Sequence, residues 1–242
     1  MFEPPYVAVD RFETQLKELG HAVISPASVQ RAFGVTGEQL AALEPFWNQL
    51  PPDGYLRDGG RYRFRRHSCF EAVEGQALRQ VEHRAHWQPL DYNALHGGIE
   101  RWFEPMQAEA VALPAWSALM QGLAGVASAL KGVQPWFIEA HQFRIDTTDG
   151  IGRPTPEGAH RDGVDLVAVF LIGREGIKGG ESRVFEARGP QGQRFTMSAP
   201  WTLLLLDDER MIHETTPIQP AAEHGHRDTL VVTLRAGGFQ GP

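Results

Sequence analysis

A chain of 242 residues, 42% hydrophobic and 22% charged, can bury a sizeable core and has the make-up of a globular protein. Its net charge of −7 speaks against non-specific nucleic-acid binding, which needs Lys and Arg to neutralise phosphates. The start Met1-Phe2-Glu3-Pro4-Pro5 has no basic and apolar leader, the apolar runs fall short of the ~20 residues that span a bilayer, and the lone Cys69 can form no intrachain disulfide, so a cytoplasmic protein without a membrane partner is expected.

In chain order, Val9, Phe12, Leu16 and Leu19 recur at helical spacing, with Asp10 as the expected N-cap and Gly20 as the stop. Further helices are expected over 28–33 and over 36–50, the second ended by Pro51-Pro52. Residues 61–70 alternate well enough for a strand through Tyr62 and Phe64, although the arginines and histidines make it unusually polar. The Ala- and Leu-rich stretch 105–132 should hold the longest helices, with Leu113, Trp116, Leu119, Met120, Leu123 and Val126 as one core-facing stripe. From Trp136 the character changes, and strands are expected over 136–145, 165–172, 182–186, 194–197, 201–206 and 228–234. Strands that follow one another without helices predict a mainly β (α+β) protein with N-terminal helices, a sandwich or barrel rather than βαβ units. No repeat or linker interrupts the chain, so residues 1–242 are expected to form one domain. Gly179-Gly180-Glu181-Ser182 reads as a tight turn into a strand and not as a phosphate loop, since no Lys-Ser/Thr ending follows.

Three residues carry the chemistry. In Gly158-Ala159-His160-Arg161-Asp162-Gly163, residues two apart on an extended strand project to one face, so His160 and Asp162 can reach one metal. His213 closes the run that begins at Trp201 and completes a set of two imidazoles and one carboxylate. Such a set leaves coordination positions open and points to non-heme Fe(II) oxygenases. Fourteen residues on comes Arg227, in Arg227-Asp228-Thr229-Leu230-Val231-Val232-Thr233-Leu234. Arg227 and Thr229 share one strand face, while Leu230, Val232 and Leu234 take the other. A guanidinium fork beside a hydroxyl suits a carboxylate.

At these residues the chain resembles the Fe(II)/2-oxoglutarate-dependent dioxygenases, and within them the bacterial L-isoleucine 4-hydroxylase-like branch. The resemblance also runs through Asp91-Tyr92-Asn93-Ala94-Leu95-His96-Gly97-Gly98-Ile99-Glu100-Arg101-Trp102-Phe103-Glu104-Pro105, His141-Gln142-Phe143-Arg144-Ile145 and Gly179-Gly180-Glu181-Ser182. It implies a double-stranded β-helix (jelly-roll, cupin-like) core, most of it supplied by 136–242, braced by a mostly helical 1–135. It implies that His160, Asp162 and His213 bind Fe(II) and form the catalytic centre, and that Arg227, with Thr229, binds the distal carboxylate of 2-oxoglutarate. The expected reaction uses dioxygen to hydroxylate a free L-amino acid, aliphatic or sulfur-containing, with release of succinate and CO2, and ascorbate is expected to support it.

The rivals are weaker on physical grounds. His224 and His226 rival His213, but His226 in its place would leave Arg235, at a strand end, as the downstream arginine. Asp165 has the wrong parity beside Asp162, and Asp207 and Asp208 read as turn residues. Arg144 is the candidate for a substrate carboxylate, against the plainer reading of a salt-bridged strand residue; Phe143, of opposite parity, is expected to pack in the core. A cupin-like isomerase or cosubstrate-independent dioxygenase would keep the triad but have no need of Arg227, and a non-catalytic barrel would be expected to have lost a ligand. A peptide or other metabolite stays open as the substrate.

Overall fold

The structure, a computed structural model, describes residues 2–93, 95 and 97–242; Met1, and Ala94 and His96 of the matched run at 91–105, lie outside the described residues. Helix α1 (Phe12–Leu19) buries Phe12 and Leu16 and ends where Gly20 takes a left-handed φ of 77°. Its N-cap is Arg11 and not Asp10. Strand β1 (His21–Ile24) follows, and then α2 (Pro26–Phe33), capped by Ser25, whose hydroxyl accepts the Ser28 N–H. The single helix expected over 36–50 is two pieces. Thr36 and Gln39 form a capping box for α3 (Gly37–Ala41), and a 3-10 turn covers Glu44–Trp47. Pro45 is the reason: inside a continuing α-helix its ring would strike the carbonyl four residues back, so it opens a new turn instead.

Strands β2 (Arg63–Ala72) and β3 (Arg79–Gln80) precede α4 (Ala108–Val111) and the long α5 (Pro114–Lys131). Helix α5 buries Trp116, Leu119, Met120, Leu123 and Val126, most of the apolar stripe expected of it. Nine strands follow: β4 (Trp136–Asp146), β5 (Leu166–Glu175), β6 (Ile177–Gly179), β7 (Ser182–Glu186), β8 (Gly192–Phe195), β9 (Leu203–Asp207), β10 (Met211–Thr215), β11 (Ile218–Pro220) and β12 (His226–Ala236). Strands β1, β3, β6, β10 and β11, two to five residues long, were not among those expected.

Strands assemble into a seven-stranded sheet, β1-β9-β5-β12-β4-β2-β3, a three-stranded sheet, β10-β7-β8, and the pair β11-β6, with antiparallel neighbours throughout. One face of the large sheet packs on the helices: Ile138, Ala140, Phe170, Leu203, Leu230, Val232 and Leu234 join Trp116, Leu119 and Met120 in one core. The other face is divided. On β1, β9 and β5 it carries Val23, Leu204, Leu206, Val167 and Leu171, which pack with Val184, Phe195 and Met211 of the three-stranded sheet. On β12, β4 and β2 it carries polar side chains, and there the two layers leave a cavity. Among the described residues no helix is long and apolar enough to cross a membrane.

The helix layer carries stability, not the cavity. Leu119 is fully buried between α5 and the sheet, and Leu→Ala at such sites typically costs about 2–5 kcal/mol. Leu119→Ala is expected to lose stability in that range by urea unfolding; a loss below ~1 kcal/mol would show that α5 is not part of the cooperative core.

Candidate active site

His213 lies at the centre of β10, and the backbone of His160 pairs with it through two hydrogen bonds, His160 N–H to His213 O at 3.0 Å and the reverse at 2.9 Å. That bridge brings the two imidazoles to 4.6 Å between ring centroids. The strand does not continue to Asp162, contrary to the expected extended H-x-D; a loop carries it, and Asp208 shapes that loop. The Asp208 carboxylate accepts the N–H groups of Asp162, Gly163 and Val164 at 3.0, 2.7 and 3.1 Å. Gly163 has a φ of +77°, and a side chain there would meet the Tyr92 ring at 2.6 Å. Gln240 adds N–H bonds to the carbonyls of Asp162 and Gly163. The outcome is the expected convergence by a different route: Asp162 Oδ1 is 3.9 Å from His160 Nε2, and Oδ2 is 3.8 Å from His213 Nε2.

The donor chemistry suits a metal. His160 Nδ1 lies 2.9 Å from the Gly158 carbonyl, which can only accept, so Nδ1 carries the proton and the Nε2 lone pair faces the cluster. Burial pushes His213 down to about 3, so its imidazole is neutral. One donor atom from each of the three residues lies within 4.8 Å of the others, a spacing that can hold one ion. Gln88 supports the carboxylate. Its amide nitrogen donates to Asp162 Oδ1 at 3.1 Å, while its oxygen accepts from Arg101 Nη2 at 2.8 Å and Asn93 Nδ2 at 3.0 Å.

Strand register sets the wall of the cavity, about 120 Å³ in volume. Ile145 of β4 stands between Arg63 of β2 and Arg227 of β12, Phe143 between Arg65 and Thr229, and His141 between His67 and Val231. Side chains two apart share a face, so β12 turns Arg227, Thr229, Val231 and Thr233 to the cavity. Arg227 is buried and its Nη2 has no hydrogen-bond partner. Burial, followed by the Arg174 charge beside it, pushes Arg227 down to about 10. A buried cation in that state fits an incoming anion.

Arg144 is not in this wall. Its guanidinium forks Asp228, Nε to Oδ1 at 2.8 Å and Nη2 to Oδ2 at 2.6 Å, and Nη2 also reaches Asn48. Parity is the cause: Glu139, His141, Phe143 and Ile145 share the cavity face, so Phe143 lines it and Arg144 points the other way. That reverses both expectations for the pair. Among the rivals, His224 is exposed and His226 sits 3.5 Å from Asp228, outside the wall. Asp165 accepts the Ala236 N–H.

The sequence reading missed a buried polar network in the same wall. Glu139 Oε2 accepts from His67 Nε2 at 2.9 Å and His86 Nδ1 at 2.6 Å, and Arg65 Nη2 donates to His141 Nδ1 at 2.7 Å. Burial outweighs Glu139 and pushes His86 down to about 4, whereas the His86 and His67 contacts overcome burial and hold Glu139 below the usual carboxylate range. Arg65 lies between the Phe103 and Phe143 rings, 3.7 and 4.4 Å from their centroids. Its signal in the sequence is the alternation Arg63-x-Arg65-x-His67, charged where a buried strand would be apolar.

A family model described as 2OG-Fe dioxygenase matches residues 44–233. Among solved structures, a bsmA homolog from Methylobium petroleophilum PM1 is 51% identical, with a TM-score of 0.94, over 99% of this chain and 98% of its own. IDO from Bacillus thuringiensis has a similar fold at 16% identity and a TM-score of 0.77, over 98% of this chain and 100% of that one. The Fe(II)/(alpha)ketoglutarate-dependent dioxygenase TqaL does so at 18% identity and a TM-score of 0.73, over 96% of this chain and 90% of that one. None of the curated proteins matches the chain.

Gln88→Leu removes the donor to Asp162 and leaves Arg101 without that acceptor. Losing a supporting hydrogen bond of this kind typically costs about 10–100-fold in metal affinity. Fe(II) titration of Gln88→Leu is expected to show a loss in that range with the fold intact by circular dichroism. An unchanged affinity would remove Gln88 from the support of Asp162.

Proposed function

This chain belongs to the 2OG-Fe dioxygenase family, and on that premise we propose that it hydroxylates a free L-amino acid, aliphatic or sulfur-containing, with release of succinate and CO2. It is a 2-oxoglutarate-dependent oxygenase, with Fe(II) and 2-oxoglutarate as its cofactor and cosubstrate. His160, Asp162 and His213 would hold the iron, and Arg227, with Thr229 beside it, would take the distal carboxylate of 2-oxoglutarate. The observation that carries the reading is the unpartnered, buried Arg227 Nη2 in the cavity that the triad also lines. A metal protein with no cosubstrate has no use for such a group, because an isolated buried charge is costly unless something arrives to pair with it.

Bound iron, with 2-oxoglutarate and dioxygen, supplies the oxidising power for attack on a C–H bond. The protein's own part is binding and orientation. Asp208 and Gln88 hold Asp162 toward the two imidazoles. The Gly158 carbonyl fixes the His160 tautomer. Val169, Val231, Ile145 and Phe143 give the cavity apolar surface that suits an aliphatic side chain. Support for an amino-acid substrate comes from the resemblance to the L-isoleucine 4-hydroxylase-like branch. The same reading takes residues 1–242 as one domain, the facing sheets as a double-stranded β-helix, and the buried Cys69 as fitting the cytoplasm.

Removing one partner of a buried charge pair typically costs about 2–5 kcal/mol, roughly 30-fold or more in affinity. Arg227→Ala should therefore raise the 2-oxoglutarate concentration needed for succinate release by at least that factor while iron stays bound; unchanged dependence would take Arg227 out of the site. Iron analysis separates the histidines: His213→Ala should lose bound iron and His226→Ala keep it, and the opposite result would refute the assigned triad.

A further inference from the structure

Once Arg227 is set aside for 2-oxoglutarate, the cavity still shows unpartnered groups of both signs. Arg101 is 2% exposed and Arg63 6% exposed, and Arg101 Nε and Arg63 Nη2 have no hydrogen-bond partner. Each has another nitrogen in use: Arg101 Nη2 donates to Gln88, and Arg63 Nε donates to Asp53 at 2.7 Å. On the opposite sign, Glu157 lines the same cavity and its Oε2 is buried without a partner, while Oε1 lies 3.5 Å from His160 Nε2.

The charges constrain what fits. Among the described residues, Arg63, Arg65, Arg101 and Arg227 line the cavity against Glu139, Glu157 and Asp162, and Asp53 is paired behind Arg63. Guanidiniums and carboxylates thus balance, and a divalent ion together with a dianionic cosubstrate leaves the balance unchanged. A guest with no net charge fits that balance, and the cavity offers it free donors on Arg101 and Arg63 and a free acceptor on Glu157. Burial, followed by the nearby Arg63 charge, pushes Arg101 down to about 10, with Asp53 and Glu157 acting against that fall, so the three groups are electrostatic neighbours.

We propose that the substrate binds as a zwitterion, its carboxylate on Arg101 Nε and Arg63 Nη2 and its ammonium on Glu157 Oε2. The inference rests on the reading of the site as a 2-oxoglutarate oxygenase of a free amino acid and assigns the residues that hold the two charged groups of that substrate. It also replaces Arg144, which is spent on Asp228. The histidine cluster offers no competing explanation as a second metal site. Its carboxylate oxygen already accepts from His67 and His86, and His141 Nδ1, accepting from Arg65, leaves its proton on Nε2.

The test is calorimetry on the Fe(II)-loaded protein without dioxygen, in the presence and absence of 2-oxoglutarate. The probes are free L-isoleucine, L-leucine, L-valine and L-methionine, their methyl esters and their N-acetyl derivatives. At least one free amino acid is expected to bind, and its ester and N-acetyl forms to bind about 30-fold more weakly or worse, as for a lost partner of a buried charge. Glu157→Gln should lose the amino acid by a similar factor while keeping iron and 2-oxoglutarate affinity; Arg101→Met should lose it by at least that factor, and Arg101→Lys, which guards against misfolding, should recover part of the binding. The zwitterion site is overturned if no free amino acid binds, if the ester or N-acetyl form binds as well as the free acid, or if Glu157→Gln loses iron instead. Absence of 2-oxoglutarate binding to the unaltered protein would overturn the oxygenase reading, and amino-acid binding that still depends on Arg101 would then leave this site standing without it.

Discussion

Strand alternation is the constraint on which the rest of this structure depends. Each central strand of the large sheet must serve two environments, because successive side chains point to opposite faces. On β12, Leu230, Val232 and Leu234 meet the helix layer while Arg227, Thr229 and Val231 meet the cavity. A shift of register by one residue would put arginine against Trp116 and leucine against the metal ligands. The hydrophobic burial that stabilises the fold therefore also aims the site, and no separate device is needed to place Arg227.

Charge burial has to be reconciled with that arrangement. Four arginines in one wall would repel each other and suffer desolvation were they left alone. Asp53 answers Arg63 and Arg65, at 2.7 and 3.8 Å, and the Phe103 and Phe143 faces offset part of the cost for Arg65. Glu139 keeps its charge by accepting hydrogen bonds from two imidazole N–H groups, which in turn holds His67 and His86 in one orientation. Unpartnered atoms on Arg227, Arg101, Arg63 and Glu157 face the cavity wall. Such unpaired groups are tolerable where a ligand completes them, which is why they mark function better than the paired ones do.

Long, strongly patterned elements were legible in the sequence: α5, β4, β5 and β12 have eighteen, eleven, ten and eleven residues and carry most of the core. Strand β10 was not, although it carries His213, because its five residues follow β9 through a tight turn and Met211-Ile212-His213-Glu214-Thr215 shows no clean apolar-polar alternation. The grouping of His160, Asp162 and His213 was readable from residue type and spacing, but the route was not. Asp208, read as a turn residue, holds the Asp162 loop through three backbone N–H groups, a contact between residues 46 apart that local pattern cannot show. Arg144 was misplaced for a related reason: parity can be read along one strand, but which face is the inner one depends on partners elsewhere in the chain. The polar alternation of Arg63, Arg65 and His67 was visible, but only as an unusually polar strand. A buried wall of charge becomes plausible only when Asp53, Glu139 and the two phenyl rings are seen around it.

The Gln88 amide ties the two ends of the site together. Because its oxygen accepts from Arg101 and Asn93, its nitrogen must face Asp162, and neither flip of the amide satisfies all three partners otherwise. Arg101 thus has one nitrogen, Nη2, committed to the support of the metal-facing carboxylate, and another, Nε, free. A carboxylate arriving at Nε would not have to break the bond to Gln88. It would instead hold the guanidinium more firmly in the plane that Gln88 needs, since a planar fork orients all of its donors at once. Substrate seating and the orientation of Asp162 would then reinforce each other through a path of two side chains, with no movement of the backbone required.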